Sequence, residues 1–146
     1  MSLHPGFPVV EGRYRLTKVW TILLPGRFNR RLEEGSLVLW RPGMTIWLDI
    51  WGNDGQETKA DRLAVIETGR SADATSIRTS ERGGILYYAY RLDEQSADDR
   101  KPVLYGFAFA DRGHVQMAVY FDAENDLAAA EAICFSLNHD PVPPAD

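Results

Sequence analysis

The segment SLVLWRPGMTIWLDIW, Ser36 to Trp51, constrains the fold more than any other part of the chain. Two runs of alternating residues flank Pro42-Gly43, a pair suited to a tight turn between antiparallel strands. Pairing around Arg41 to Met44 sets Trp40 against Thr45, Val38 against Trp47 and Ser36 against Asp49. Successive strand residues point to opposite faces. Leu37, Leu39, Ile46, Leu48 and Ile50 therefore share an aliphatic face, expected in the core. Ser36, Val38, Trp40, Thr45, Trp47, Asp49 and Trp51 share the other, so three of the chain's four tryptophans lie together with an acid. A three-residue loop would mix the two sets.

The rest of the chain supplies more hairpins. Residues 1–13 hold two prolines and two glycines and read as an irregular N-terminal arm. TKVWTILLP (17–25) reads as a strand ended by Pro25-Gly26, because Pro cannot donate to a ladder. RFNRRLEEG (27–35) reads as a charged connection and GNDGQE (52–57) as a loop. TKADRLAVIETG (58–69) reads as a helix capped by Thr58, with Asp61 in its first turn, an apolar stripe of Ala60, Leu63, Ala64 and Ile66, and a stop at Gly69. TSIRTSERGGILYYAYRL (75–92) is a hairpin around Gly83-Gly84, followed by a polar loop, DEQSADDRK (93–101).

PVLYGFAFADRGHVQMAVYF (102–121) is the last hairpin. A three-residue loop with Gly113 left-handed sets Ala110 opposite His114. Val103, Tyr105, Phe107, Phe109, Val115, Met117, Val119 and Phe121 then form a core face, opposite a face of small residues that a helix, partner or ligand can approach. DAENDLAAAEAICFSL (122–137) reads as a helix capped by Asp122 or Asn125, with Leu127, Ala130, Ile133, Cys134 and Leu137 on one stripe. The order βββαββββα implies an α+β fold: a mostly antiparallel sheet of about six to seven strands, packed by two helices. The expected organisation is an arm (1–13), one domain (14–138) and a flexible proline-rich tail (139–146).

Composition narrows the function classes. A chain of 146 residues fits one domain with a proper core. The net charge of −5 argues against non-specific nucleic-acid binding and against docking on an anionic membrane. No apolar run approaches the roughly 18 residues of a membrane span. MSLHPGFPVVEG has neither a basic nor a continuous apolar region of a signal peptide, and the single cysteine allows no internal disulfide. A bacterial-style cytoplasmic protein is expected.

No motif names a reaction. His4, His114 and His139 have no second ligand at metal-binding spacing, so neither a metal nor another cofactor is expected. Cys134 sits on an apolar helix stripe, where a free thiol is buried and inert. Arg82-Gly83-Gly84 lies inside a hairpin and reads as a turn, not a phosphate loop. Asp49, between Trp47 and Trp51 on its face, is the one acid suited to a raised pKa and acid–base work. A glycosidase needs a second carboxylate facing it, and the sequence places none.

Each tryptophan buries about 150–250 Å². Three left exposed would make roughly 450–750 Å², at or beyond the largest apolar patch of an ordinary monomer. They are expected to be covered, by Phe7, Pro8 and Val9 of the arm, by the small-residue face of the last hairpin, or by a partner. The leading expectation is a non-enzymatic binding or adaptor protein that uses Trp40, Trp47 and Trp51, with Asp49 and Ser36 fixing orientation, to bury apolar surface of a protein partner. The alternatives are a carbohydrate-type small-ligand site on the same residues, an Asp49-dependent hydrolase, and a homodimer interface.

WTILLPGRF (20–28), closing a strand in Leu-Pro before Phe, and AICFSL (132–137), ending the last helix, resemble segments of the PsbP-like α/β/α sandwich superfamily. That superfamily includes photosystem accessory proteins, Ran-binding Mog-type proteins and the bacterial DcrB and Eag groups, the last being adaptor chaperones for type VI effectors. The resemblance implies a protein-binding role without catalysis.

Overall fold

The computed structural model describes residues 3–52, 57–96 and 99–139. Four strands precede the first helix: β1 (Val9–Arg15), β2 (Trp20–Glu33), β3 (Ser36–Arg41) and β4 (Met44–Gly52). Helix α1 (Lys59–Gly69) follows, then β5 (Thr75–Arg82), β6 (Ile85–Ser96), β7 (Asp99–Ala110) and β8 (Gly113–Phe121). A 3₁₀ turn (Glu124–Asp126) leads into α2 (Leu127–Phe135), and a two-residue strand, β9 (Asn138–His139), pairs with the start of β2. The antiparallel α+β architecture with two helices is as expected. The described residues form a nine-stranded sheet rather than one of six to seven strands.

The sheet order is β1-β2-β3-β4-β8-β7-β6-β5. Two four-stranded meanders therefore meet at one seam, where β4 and β8 pair from Met44 opposite Phe121 to Gly52 opposite Gly113. The β3–β4 hairpin has the expected register, with Trp40 opposite Thr45 and Val38 opposite Trp47, around Pro42-Gly43. Leu39, Ile46 and Leu48 are fully buried, with Leu37 and Ile50 packed beside them.

Other expectations need correction. Pro25-Gly26 does not end a strand. β2 runs through it because the β1–β2 pairing skips there, from Val10 opposite Phe28 to Gly12 opposite Leu24. Proline has no N–H to leave unpaired, so such an irregularity accommodates it. RFNRRLEEG is therefore mostly strand, and residues 9–13 of the expected arm belong to β1. The expected polar loop 93–101 extends β6 and β7 instead, pairing Asp93 with Pro102 and Ser96 with Asp99. Positions 97–98, residues 53–56 of the expected GNDGQE loop and residues 140–146 of the expected tail lie outside the described residues. His139, placed in that tail, is in β9, its ring 4.9 Å from that of Trp20.

The last hairpin is one residue out of the expected register. Ala110 faces Gly113 across a two-residue turn, so Phe109 pairs with His114 and Ala108 with Val115. Gly113 is not left-handed; a Cβ there would lie 2.7 Å from the Trp51 carbonyl oxygen across the seam, so close backbone approach selects glycine.

The corrected register separates two packed faces. On one, Ala130, Ile133 and Cys134 of α2, with Leu137 just after it, pack in one cluster with Ala108, Ala110, Val115 and Met117. That helix has the expected apolar stripe but no side-chain cap. On the other, α1 lays Leu63 and Ile66 on Tyr88, Tyr90, Phe107 and Phe109. The Thr58–Asp61 capping box forms as a reciprocal pair of bonds. Ala60 and Ala64, expected on the α1 stripe, are exposed; the sheet-facing positions are instead Lys59, Arg62, Leu63, Ile66 and Arg70.

Gly106 sets how closely α2 approaches the sheet. A Cβ there would meet the Cys134 sulfur at 2.4 Å and the Cys134 Cβ at 2.9 Å. Gly106→Ala is expected to cost about 1–3 kcal/mol through overpacking, read from the urea midpoint. In a Cys134→Ala background, which removes the nearer atom, part of that loss should return. An equal cost in both backgrounds would show that the clash lies elsewhere.

Candidate functional site

The sheet face that carries α1 also carries every sequence-selected site residue. Along β4, Trp47, Asp49 and Trp51 alternate with the buried aliphatics. Across the seam they lie beside Ala118, Gln116 and His114 respectively. Ser36 is brought to Asp49, with its hydroxyl 2.5 Å from Oδ1. Asp49 thus sits between an alcohol on β3 and an amide on β8. Among the described residues, no group of three His, Cys, Asp or Glu side chains could hold a metal ion.

The three indoles are not gathered into one cluster. Trp40 meets the Phe7 ring edge-on at 5.0 Å and carries the Arg31 guanidinium over its own ring at 4.6 Å. Trp51 stacks on His114, with ring centroids 5.0 Å apart and planes 28° apart. Trp47 lies between them, half-buried, and borders a shallow cleft of about 300 Å³ with Thr45, Pro102, Tyr120 and Asp122. The last hairpin lies beside these residues in the sheet, not over them. The arm does cover one of them, through Phe7.

Asn29 holds that arm in place. It is fully buried, receives the His4 N–H on Oδ1 at 2.7 Å, and donates from Nδ2 to the carbonyls of His4 at 3.0 Å and Phe7 at 3.2 Å. It lies opposite Trp40 on the adjacent strand. Nothing in a segment read as a charged connection marked Asn29, because a buried amide becomes informative only once its segment is known to be a strand.

The other margin is a cleft of about 490 Å³ between α1 and the seam, bordered by Trp51, Arg62, Val65, Ile66, Phe109, His114 and Gln116. Trp51 is 45 % exposed at its mouth and Val65, on α1, is 67 % exposed. Arg62 is only 6 % exposed. Its Nη1 donates to the Gly113 carbonyl at 3.1 Å, its Nη2 to the Ala110 carbonyl and its Nε to Thr58 at 3.4 Å, while its guanidinium lies 5.5 Å from the Phe109 ring centre. Burial lowers its pKa, opposed by the charges of Glu57 and Asp111, yet an arginine stays cationic. Arg62 was not among the sequence-selected residues. The signal that could have found it is its spacing with Lys59, Leu63, Ile66 and Arg70, which marks a helix stripe as clearly as the alanines did.

His114, for which the sequence offered no partner ligand, lines the cleft. Its Nδ1 is buried without a hydrogen-bond partner among the described residues. Burial lowers its pKa and the Arg62 charge lowers it further, against a smaller opposing effect of Glu57. The imidazole is therefore neutral at pH 7. Cys134 is a buried thiol pushed far up in pKa by burial, and it plays no part here.

No family model matches this chain, and no curated protein matches it.

Two outcomes follow from these anchors. Asn29→Ala leaves several main-chain groups without their partner and should cost about 1–3 kcal/mol. Release of the arm should also shift the tryptophan fluorescence to the red. An unchanged spectrum with lowered stability would separate Asn29 from the covering of Trp40.

The second outcome concerns pH. The folded pKa of His114 lies below the unfolded value of about 6.5. As pH falls through that value, the unfolded chain takes up the proton first, so stability is full above it and declines below. The fall in melting temperature from pH 7 to pH 5 should be smaller in His114→Phe than in the parent. Parallel profiles would remove His114 as a contributor.

Proposed function

We propose that this chain is a non-enzymatic binding protein of the adaptor type, whose open sheet face takes up apolar surface of a protein partner. One observation carries the reading. Four of the seven large apolar side chains left exposed among the described residues, Phe7, Val9, Trp51 and Val65, lie on the α1 side of the sheet, around the half-buried Trp40 and Trp47. Aromatic side chains of this kind dominate the energetics of protein interfaces. Trp47 and Trp51 supply the contact area in this reading, Trp40 extends it at the arm, and Ser36 with Asp49 offers the polar pair that fixes orientation. The PsbP-like resemblance belongs to the same proposal, as does a cytoplasmic setting. The helix–sheet–helix layering supports it, and no described helix is long and apolar enough to cross a membrane.

The test is affinity capture followed by reconstitution with the purified partner. Trp47→Ala with Trp51→Ala is expected to weaken the complex by at least about tenfold, as for central interface aromatics. Thermal unfolding should shift little, because Trp51 is half-exposed already. Unchanged affinity would refute the assignment, and collapse of the fold would show that these rings serve the core.

A further inference from the structure

We propose that the cleft between α1 and the β4–β8 seam is a small-molecule site, for a planar aromatic compound carrying one carboxylate. The cleft volume of about 490 Å³ suits a small ligand. Its shape follows from its two walls. One is the stacked Trp51–His114 pair, backed by Phe109. The other is the α1 surface of Val65 and Ile66. A slot between an aromatic stack and aliphatic side chains favours a flat ring, which can stack on Trp51 while keeping its edge in solvent.

The charged group follows from Arg62. A guanidinium has five N–H groups. The three bonds described for Arg62 all go to neutral carbonyls, of Thr58, Ala110 and Gly113. Its direct partners are thus uncharged, the carboxylates of Glu57 and Asp111 offset part of its charge, and two of its five N–H groups are left for an acceptor. A carboxylate is the acceptor that best fits such a planar donor. The Gln116 side chain lies on the same cleft as a further polar contact. Glu57, on the cleft margin, acts electrostatically on both Arg62 and His114. A neutral His114 adds no competing charge. The site shares Trp51 with the protein-partner reading, and Trp47, which lines a different cleft, tells the two apart.

The experiment compares 2-naphthoate with its uncharged amide by calorimetry on the intact protein. The tryptophan indole and histidine resonances are followed by NMR. Naphthoate is expected to bind at one saturable site, shifting the Trp51 and His114 signals, with the amide at least about tenfold weaker because the charge-assisted bond is lost. Trp51→Leu should weaken naphthoate several-fold, and Trp47→Ala should leave it unchanged even if partner binding is lost. Equal affinity of acid and amide would overturn the assignment of Arg62. So would saturable binding insensitive to Trp51→Leu, or no saturable binding of either probe at millimolar concentration.

Discussion

Everything in this fold depends on the antiparallel seam between β4 and β8. Each meander could form from its own hairpins, and the seam is the pairing that joins one meander's strands to the other's, between residues far apart in the chain. Its alternation puts Ile46 and Leu48 with Val119 and Met117 in the core, and Trp47, Asp49 and Trp51 with Ala118, Gln116 and His114 on the opposite side. A one-residue slip would exchange those sets, so burial of the aliphatic side fixes the register and thereby composes the aromatic face. Closeness at the end of the seam is what requires Gly113, whose neighbour is the carbonyl of Trp51.

The two helices cover the sheet by different physics. α2 uses apolar contact at close range, with Cys134 seated against Gly106, and the chain just after it is fastened by Tyr87, which donates to the Leu137 carbonyl at 2.6 Å. α1 brings less apolar surface, Leu63 and Ile66, and relies on long polar side chains. Arg62 reaches the β7–β8 turn, Lys59 the Gly84 carbonyl at 2.7 Å and Arg70 the Tyr88 hydroxyl at 2.6 Å. Such bonds contribute about 1 kcal/mol each after desolvation, more when charged. Burying the Arg62 charge offsets part of that. A helix held this way stands at the margin of the sheet without closing over Trp51.

How much of this was legible in the sequence depended on whether a strand had one dry face or two. The β3–β4 hairpin was readable because its aliphatic and mixed faces differ in composition and Pro42-Gly43 marks the turn. The β7–β8 hairpin was misread because both faces are buried, one by α1 and one by α2. Phe107 and Ala108 are equally core residues, and hydrophobicity then carries no phase. β1 was hidden by Gly12 and by Pro5, Gly6 and Pro8 just before it, and the length of β2 by an irregularity that only its partner strand reveals. The site residues on β4 were legible as one face. The parts that bound them, Asn29 and Arg62, were not, since a polar side chain signals burial only through contacts distant in the chain.

Those two residues explain why the aromatic face is neither closed nor fully open. Covering an apolar surface with apolar surface gains free energy in proportion to area, so such a cover tends to spread until the patch is gone. Asn29 and Arg62 instead fasten their covers by hydrogen bonds to particular main-chain carbonyls, and that attachment depends on geometry rather than area. The described part of the arm is fixed over Trp40; α1 is fixed to the β7–β8 turn and stops beside Trp51. Between these two polar anchors the strip from Trp47 to Trp51 keeps its exposure, and the fold carries that apolar surface without giving up its core, which lies on the other side of the same strands.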